Sequence, residues 1–154
     1  MKRIIIFLHF SVLILFLSSA CTPQEIDYST TIKAVYFNGS QYTVKVEGCS
    51  GEGFTAEGFT INPDERCEAC ISSYLCSEQE YYSENHPNGI ACILPAAATI
   101  IFNGEYIVEA TDGFAIRNIE NYAIERVEDG FWVCTYTFTD EDYDYAKEHG
   151  ENLN

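Results

Sequence analysis

Three dipeptides that supply turns do most to limit the fold of this 154-residue chain: Asn38-Gly39, Asn103-Gly104 and Asp129-Gly130, each set between runs of β-branched and aromatic residues. Asn-Gly and Asp-Gly readily take the positive φ angles that a two-residue hairpin turn requires. Residues 31–37 with 41–47, 99–102 with 106–110, and 121–127 with 131–139 are therefore predicted hairpin arms. In the last arm Trp132, Cys134, Tyr136 and Phe138 alternate with Val133, Thr135, Thr137 and Thr139. That period-two pattern belongs to a strand with one buried face. A mainly antiparallel sheet of about six strands follows.

Two helices are expected beside it. Asn62 as N-cap, Pro63 at the first position, and Asp64 and Glu65 in the first turn match the preferences of a helix start. Cys67, Cys70, Ile71, Tyr74 and Leu75 then recur at the spacing of a core-facing helical stripe. Ser77 and Glu80 open a short helical turn in the long polar segment 77–95, whose His86-Pro87-Asn88-Gly89 is a tight turn. Near the end of the chain, Thr139 caps a second helix that runs to Gly150. The same residues offer a competing reading. Asp140, Asp142, Asp144, Glu148 and Glu151 fall at positions 1, 3, 5, 9 and 12 of a calcium loop resembling the EF-hand, with Asp140, Asp142, Asp144 and Glu151 as its weak metal candidates. Tyr145 occupies the position that needs glycine, and Lys147 one that needs an apolar residue, so the helix is the expected outcome.

The first twenty residues are an export signal: Lys2 and Arg3, an apolar core from Ile4 to Leu17, then small residues. That core is shorter than the 18–20 apolar residues a membrane span needs. Leu17-Ser18-Ser19-Ala20-Cys21 resembles the lipobox of bacterial lipoproteins. The resemblance implies that Cys21 becomes the lipidated first residue of the mature chain, at the bacterial cell envelope and preferentially the outer membrane. Ser18 and Ala20 also suit the ordinary secretory peptidase, which would leave Cys21 free. Residues 1–20 are thus read as signal peptide, 21–29 as lipidated N-terminus and tether, and 30–154 as one domain.

Seven cysteines become six once Cys21 is set aside, an even number suited to disulfides in an oxidising compartment. Cys49, Cys67, Cys70, Cys76, Cys92 and Cys134 are expected to form three, with Cys76–Cys92 a guess at one of them. Cys67-Glu68-Ala69-Cys70 also has the CxxC spacing of thiol–disulfide enzymes, but it sits a full turn beyond the expected helix start, where the dipole no longer favours a thiolate. Cys67, Cys70, Cys76, His86 and Cys92 match no zinc spacing, and His86 beside proline reads as a turn residue rather than a base. No cofactor and no catalytic residue is expected.

Loss of Lys2 and Arg3 with the signal leaves six basic residues against 24 acidic ones, a formal charge of −18. Such a surface repels nucleic acid and anionic lipid headgroups. It suits a cationic partner. The expected fold is α+β and β-dominated, with one packed helix and disulfide support. The expected function is that of an envelope-anchored acidic lipoprotein that binds or inhibits, in the manner of an immunity protein, a cationic envelope or secreted protein. Tyr81, Tyr82 and Glu84 are the candidate partner contacts. The alternatives are a glycan-binding or envelope-assembly lipoprotein, and a thiol–disulfide oxidoreductase using Cys67 and Cys70.

Overall fold

A computed structural model describes residues 27–50, 58–85, 95, 97–110 and 114–154, and of Cys49 and Ser50 the backbone alone. Among the described residues nine strands form two sheets. The first has the order β4-β1-β8-β7, built from β1 (Tyr28–Asn38), β4 (Arg66–Cys76), β7 (Tyr122–Glu128) and β8 (Phe131–Phe138). The second has the order β3-β2-β5-β6-β9, built from β2 (Val44–Ser50), β3 (Phe59–Ile61), β5 (Ala97–Phe102), β6 (Tyr106–Glu109) and β9 (Glu151–Asn152). Every neighbouring pair is antiparallel except β1 and β8, which run parallel in the middle of the first sheet.

The expected alternation of β8 holds, with Trp132, Cys134, Tyr136 and Phe138 buried. Ile32, Ala34, Tyr36 and Asn38 of β1 lie in register beside them. All of these except the polar Asn38 form one cluster with Val44, Val46, Ile100 and Phe102 of the second sheet. Ring contacts join the layers: Tyr36 stacks on Phe59 at 5.3 Å, and Phe102 meets Phe138 edge-on at 6.1 Å. Each sheet has one apolar face, and burying the two against each other gives a β-sandwich.

Two of the three hairpins form. Asn103 and Gly104 take φ of 54° and 69° and join β5 to β6, and Gly130, at φ 67°, joins β7 to β8. The Asn38-Gly39 hairpin does not form, and neither residue there has positive φ. Asn38 is instead the buried pin of a corner at which the chain leaves one sheet for the other. Its Nδ2 donates to the carbonyls of Tyr42 (2.7 Å) and Ile61 (2.9 Å), and its Oδ1 accepts from the Ser40 amide (3.1 Å) and hydroxyl (2.7 Å). A residue that tolerates turns also pins corners, because its side chain mimics a peptide group.

The helix expected from Asn62 is corrected to a turn followed by a strand. Asp64 has φ 62°, and the Glu65 carboxylate accepts from the Asn62 amide (3.2 Å) and its Nδ2 (3.0 Å). Side chains that cap helices thus close a tight turn here. Beyond it, β4 pairs with β1 over ten positions, from Tyr28↔Cys76 to Phe37↔Arg66. Ala69 is an extra residue in that ladder, since Ala34 faces Cys70 while Val35 faces Glu68. This bulge sets Cys67 and Cys70 beside Tyr36 and Ala34 on one face, so a three-residue spacing imitates a helical one. The architecture is accordingly β-dominated with two sheets and nine strands rather than one sheet of six with a packed helix.

The C-terminal helix forms as expected, over Asp140–His149. Asp142 accepts from the Thr139 amide (2.9 Å), and Tyr143 stacks on Tyr42 with ring centroids 3.6 Å apart. The expected disulfides are not found among the described residues: no disulfide joins Cys67, Cys70, Cys76 and Cys134 to one another. Cys70 and Cys134 both lie opposite Ala34, with β1 between them. Two strand spacings are about 9–10 Å, and a disulfide needs Cα atoms within about 7 Å. Cys21, Cys92, His86 and the side chain of Cys49 lie outside the described residues.

Candidate functional site

The sequence-selected residues Tyr81, Tyr82 and Glu84 come together at one end of the sandwich. Ser77 caps the helical turn Glu78–Tyr81, its hydroxyl accepting from the Glu80 amide (3.2 Å). The turn directs Tyr81 and Tyr82 onto Tyr28, the first residue of β1. The three rings touch pairwise: Tyr28–Tyr81 at 5.2 Å, Tyr28–Tyr82 at 5.9 Å and Tyr81–Tyr82 at 5.0 Å, tilted by 49°, 68° and 89°. These are the inclined contacts that aromatic quadrupoles favour. Tyr82 remains 52% exposed at the top of the cluster.

Carboxylates surround the rings. The Tyr28 phenol is held above the ordinary tyrosine value, first by desolvation and then by the neighbouring Glu78. Glu80 accepts from the Tyr74 hydroxyl (2.9 Å). Arg126 of β7 donates to Glu84 (3.1 Å) and to Asp129 in the adjacent hairpin turn. Two backbone bonds lock the helical turn to the sheet: Gly130 N–H to the Tyr81 carbonyl (3.2 Å), and Thr31 N–H to the Gly130 carbonyl (2.7 Å). The surface is a rigid tyrosine cluster in an acidic border. Sequence reasoning missed Tyr28, placed in the tether, and Arg126. Their proximity depends on the β1–β4 and β1–β8 registers, which no local pattern reveals.

Gly130 holds this arrangement. A Cβ there would lie 2.2 Å from the Tyr81 ring and 2.9 Å from the Ser29 carbonyl oxygen, at a φ that disfavours side chains. Gly130→Ala is expected to cost about 2–3 kcal/mol and to displace Tyr81. Urea unfolding together with the near-ultraviolet tyrosine dichroism checks both effects; an unchanged dichroism would show that the ring packing does not depend on this glycine.

A cleft of about 340 Å³ is bordered by Phe114, Asn121, Tyr136, Thr139, Asp142 and Tyr145. Within it Asp142 accepts from the Tyr136 hydroxyl (2.9 Å) as well as from the Thr139 amide. Desolvation raises the Asp142 carboxyl above the usual aspartate value against the pull of those bonds, and desolvation followed by the charge of Asp142 raises the Tyr136 phenol. A cleft of about 280 Å³ beside Ile107, Glu109 and Gly150 holds His149, which stacks on Tyr145 at 4.3 Å with its Nδ1 3.1 Å from the Tyr145 carbonyl. Asp140 accepts from the Gln41 amide (3.0 Å), and Asp140, Asp142 and Asp144 lie on the C-terminal helix while Glu151 starts β9. Among the described residues no group of three or more His, Cys, Asp and Glu is placed to hold a metal ion. Cys67 sits on a strand rather than a helix start, and desolvation followed by Glu68 raises its thiol pKa, opposite to the shift that activates a nucleophilic thiol.

No protein-family model matches the chain, and neither a curated protein nor a solved structure is significantly similar to it.

Proposed function

We propose that this chain is an envelope-anchored acidic lipoprotein that binds, and by occupying it inhibits, a cationic envelope or secreted protein. The observation that carries this reading is the Tyr28–Tyr81–Tyr82 cluster bordered by Glu78, Glu80 and Glu84. Tyrosines already packed against one another lose little conformational entropy on binding, and such rings are the usual centres of binding energy. The formal charge of −18 left by signal removal steers a cationic partner towards them. The lipid anchor rests on the Leu17-Ser18-Ser19-Ala20-Cys21 motif.

The test is titration of the mature protein with basic cell-wall hydrolases and toxins at increasing salt. Affinity is expected to fall at least tenfold between low and physiological ionic strength, as screening shortens the reach of the acidic border. Tyr81→Ala combined with Tyr82→Ala should cost about 2 kcal/mol or more of binding energy. Salt-insensitive binding to a neutral glycan would transfer the site to the glycan-binding alternative.

A further inference from the structure

The cleft at the start of the C-terminal helix is assembled from three stretches of chain, 114–121, 136–139 and 141–145. The rings of Phe114, Tyr136 and Tyr145 wall it, and the carboxylates of Asp142 and the exposed Glu141 open onto it. Among the described residues no lysine or arginine borders it. Several of its donors are engaged within the protein. The Tyr136 hydroxyl donates to Asp142 Oδ1 (2.9 Å), and the Thr139 amide (2.9 Å) and hydroxyl (3.4 Å) donate to Oδ2. Asn121 turns its Nδ2 to the Ala115 carbonyl (3.0 Å). What the cleft offers a ligand is therefore negative charge and acceptor capacity beside aromatic walls, because a carboxylate has about four lone-pair sites and those of Glu141 add to the remainder on Asp142.

We infer that this cleft binds a primary ammonium group carried on a small apolar body, the ammonium at Asp142 and Glu141 and the body against the rings of Phe114 and Tyr145. Apolar walls with a few convergent polar groups are the usual composition of a small-molecule site, and about 340 Å³ is room enough for one. The charge of the occupant follows from the lining. An anion would meet two carboxylates, and a neutral molecule would leave the charge of Asp142 as it is. Burial already raises the Asp142 carboxyl above the usual aspartate value despite its three bonds. A cation set against it offsets that desolvated charge, and the ring faces attract the same cation. A metal ion fits less well, since among the described residues no group of three or more His, Cys, Asp and Glu is placed to hold one. The cleft shares no residue with the tyrosine cluster, so the inference does not depend on the binding function proposed above.

The probes are phenethylammonium, its neutral counterpart phenethyl alcohol, and Nα-acetyl-lysine amide, each titrated into the protein while its backbone amide resonances are followed. Phenethylammonium is expected to shift the amides of 115–121 and 139–142 and to bind about tenfold more tightly than the alcohol, the worth of one charge-assisted hydrogen bond. Asp142→Asn should remove about that factor. Glu141→Gln, at an exposed position outside the helix cap, should weaken binding about threefold and keeps the test open if the first variant loosens the helix start. Tighter binding of the lysine derivative than of phenethylammonium assigns the ammonium to a side chain of another protein, and the reverse assigns it to a free amine. Equal binding of amine and alcohol, unchanged affinity in both variants, or no shift of these amides with either amine overturns the inference.

Discussion

Phe138→Ala is expected to destabilise the protein by about 3–5 kcal/mol, the usual cost of emptying a phenylalanine site in a packed core. Phe138 is fully buried and touches Tyr36 at 6.1 Å, Tyr136 at 5.0 Å and Phe102 at 6.1 Å, so its ring is shared by both sheets. For a domain of this size the loss corresponds to roughly 10–20 °C in Tm. Leu75→Ala is the matched control. Leu75 is exposed on β4, and its truncation should stay within about 0.5 kcal/mol. A helix carrying Leu75 into the core would make the same change cost about 2–5 kcal/mol. Thermal unfolding of the two variants therefore checks the core and the strand assignment of 66–76 together, and comparable losses would contradict both assignments.

The second large effect is expected from a polar residue. Asn38→Ala removes the donors to the Tyr42 and Ile61 carbonyls and the acceptor for Ser40 at a buried corner. Each buried group left without a partner costs about 1–3 kcal/mol, so a total loss of about 3–5 kcal/mol is expected. Asn38→Asp should fare no better, because a carboxylate would face the same two carbonyls without a proton to donate. Denaturant unfolding reads the change. A loss below about 1 kcal/mol would show that the chain turns the corner without this side chain.

What was legible in the sequence was local. The period-two alternation of 131–139, the Asn103-Gly104 and Asp129-Gly130 turns, the Ser77 cap and the helix after Thr139 all act within a few residues of themselves, and each formed where expected. The misreadings share a cause. Asn, Asp, Pro and Glu satisfy free amides at helix starts and in tight turns alike, so Asn62–Glu65 signalled a boundary without saying what followed it. The Ala69 bulge then gave β4 a helical spacing. Asn38-Gly39 likewise marked a change of direction but not a change of sheet. The tyrosine cluster was half legible: adjacent Tyr81, Tyr82 and Glu84 could be picked out, whereas Tyr28 and Arg126 join them only through contacts over 40 residues or more of sequence.

Residues 66–76 as a strand underlie the tyrosine cluster, which hangs from the Cys76 end. Backbone nuclear Overhauser contacts read that segment directly. The antiparallel register predicts cross-strand contacts between Ile32 and Ser72 and between Thr30 and Tyr74, with strong sequential Hα-to-amide contacts throughout. Strong amide-to-amide contacts with i,i+3 connectivities from Arg66 to Leu75, and none to β1, would restore the helix and contradict the account.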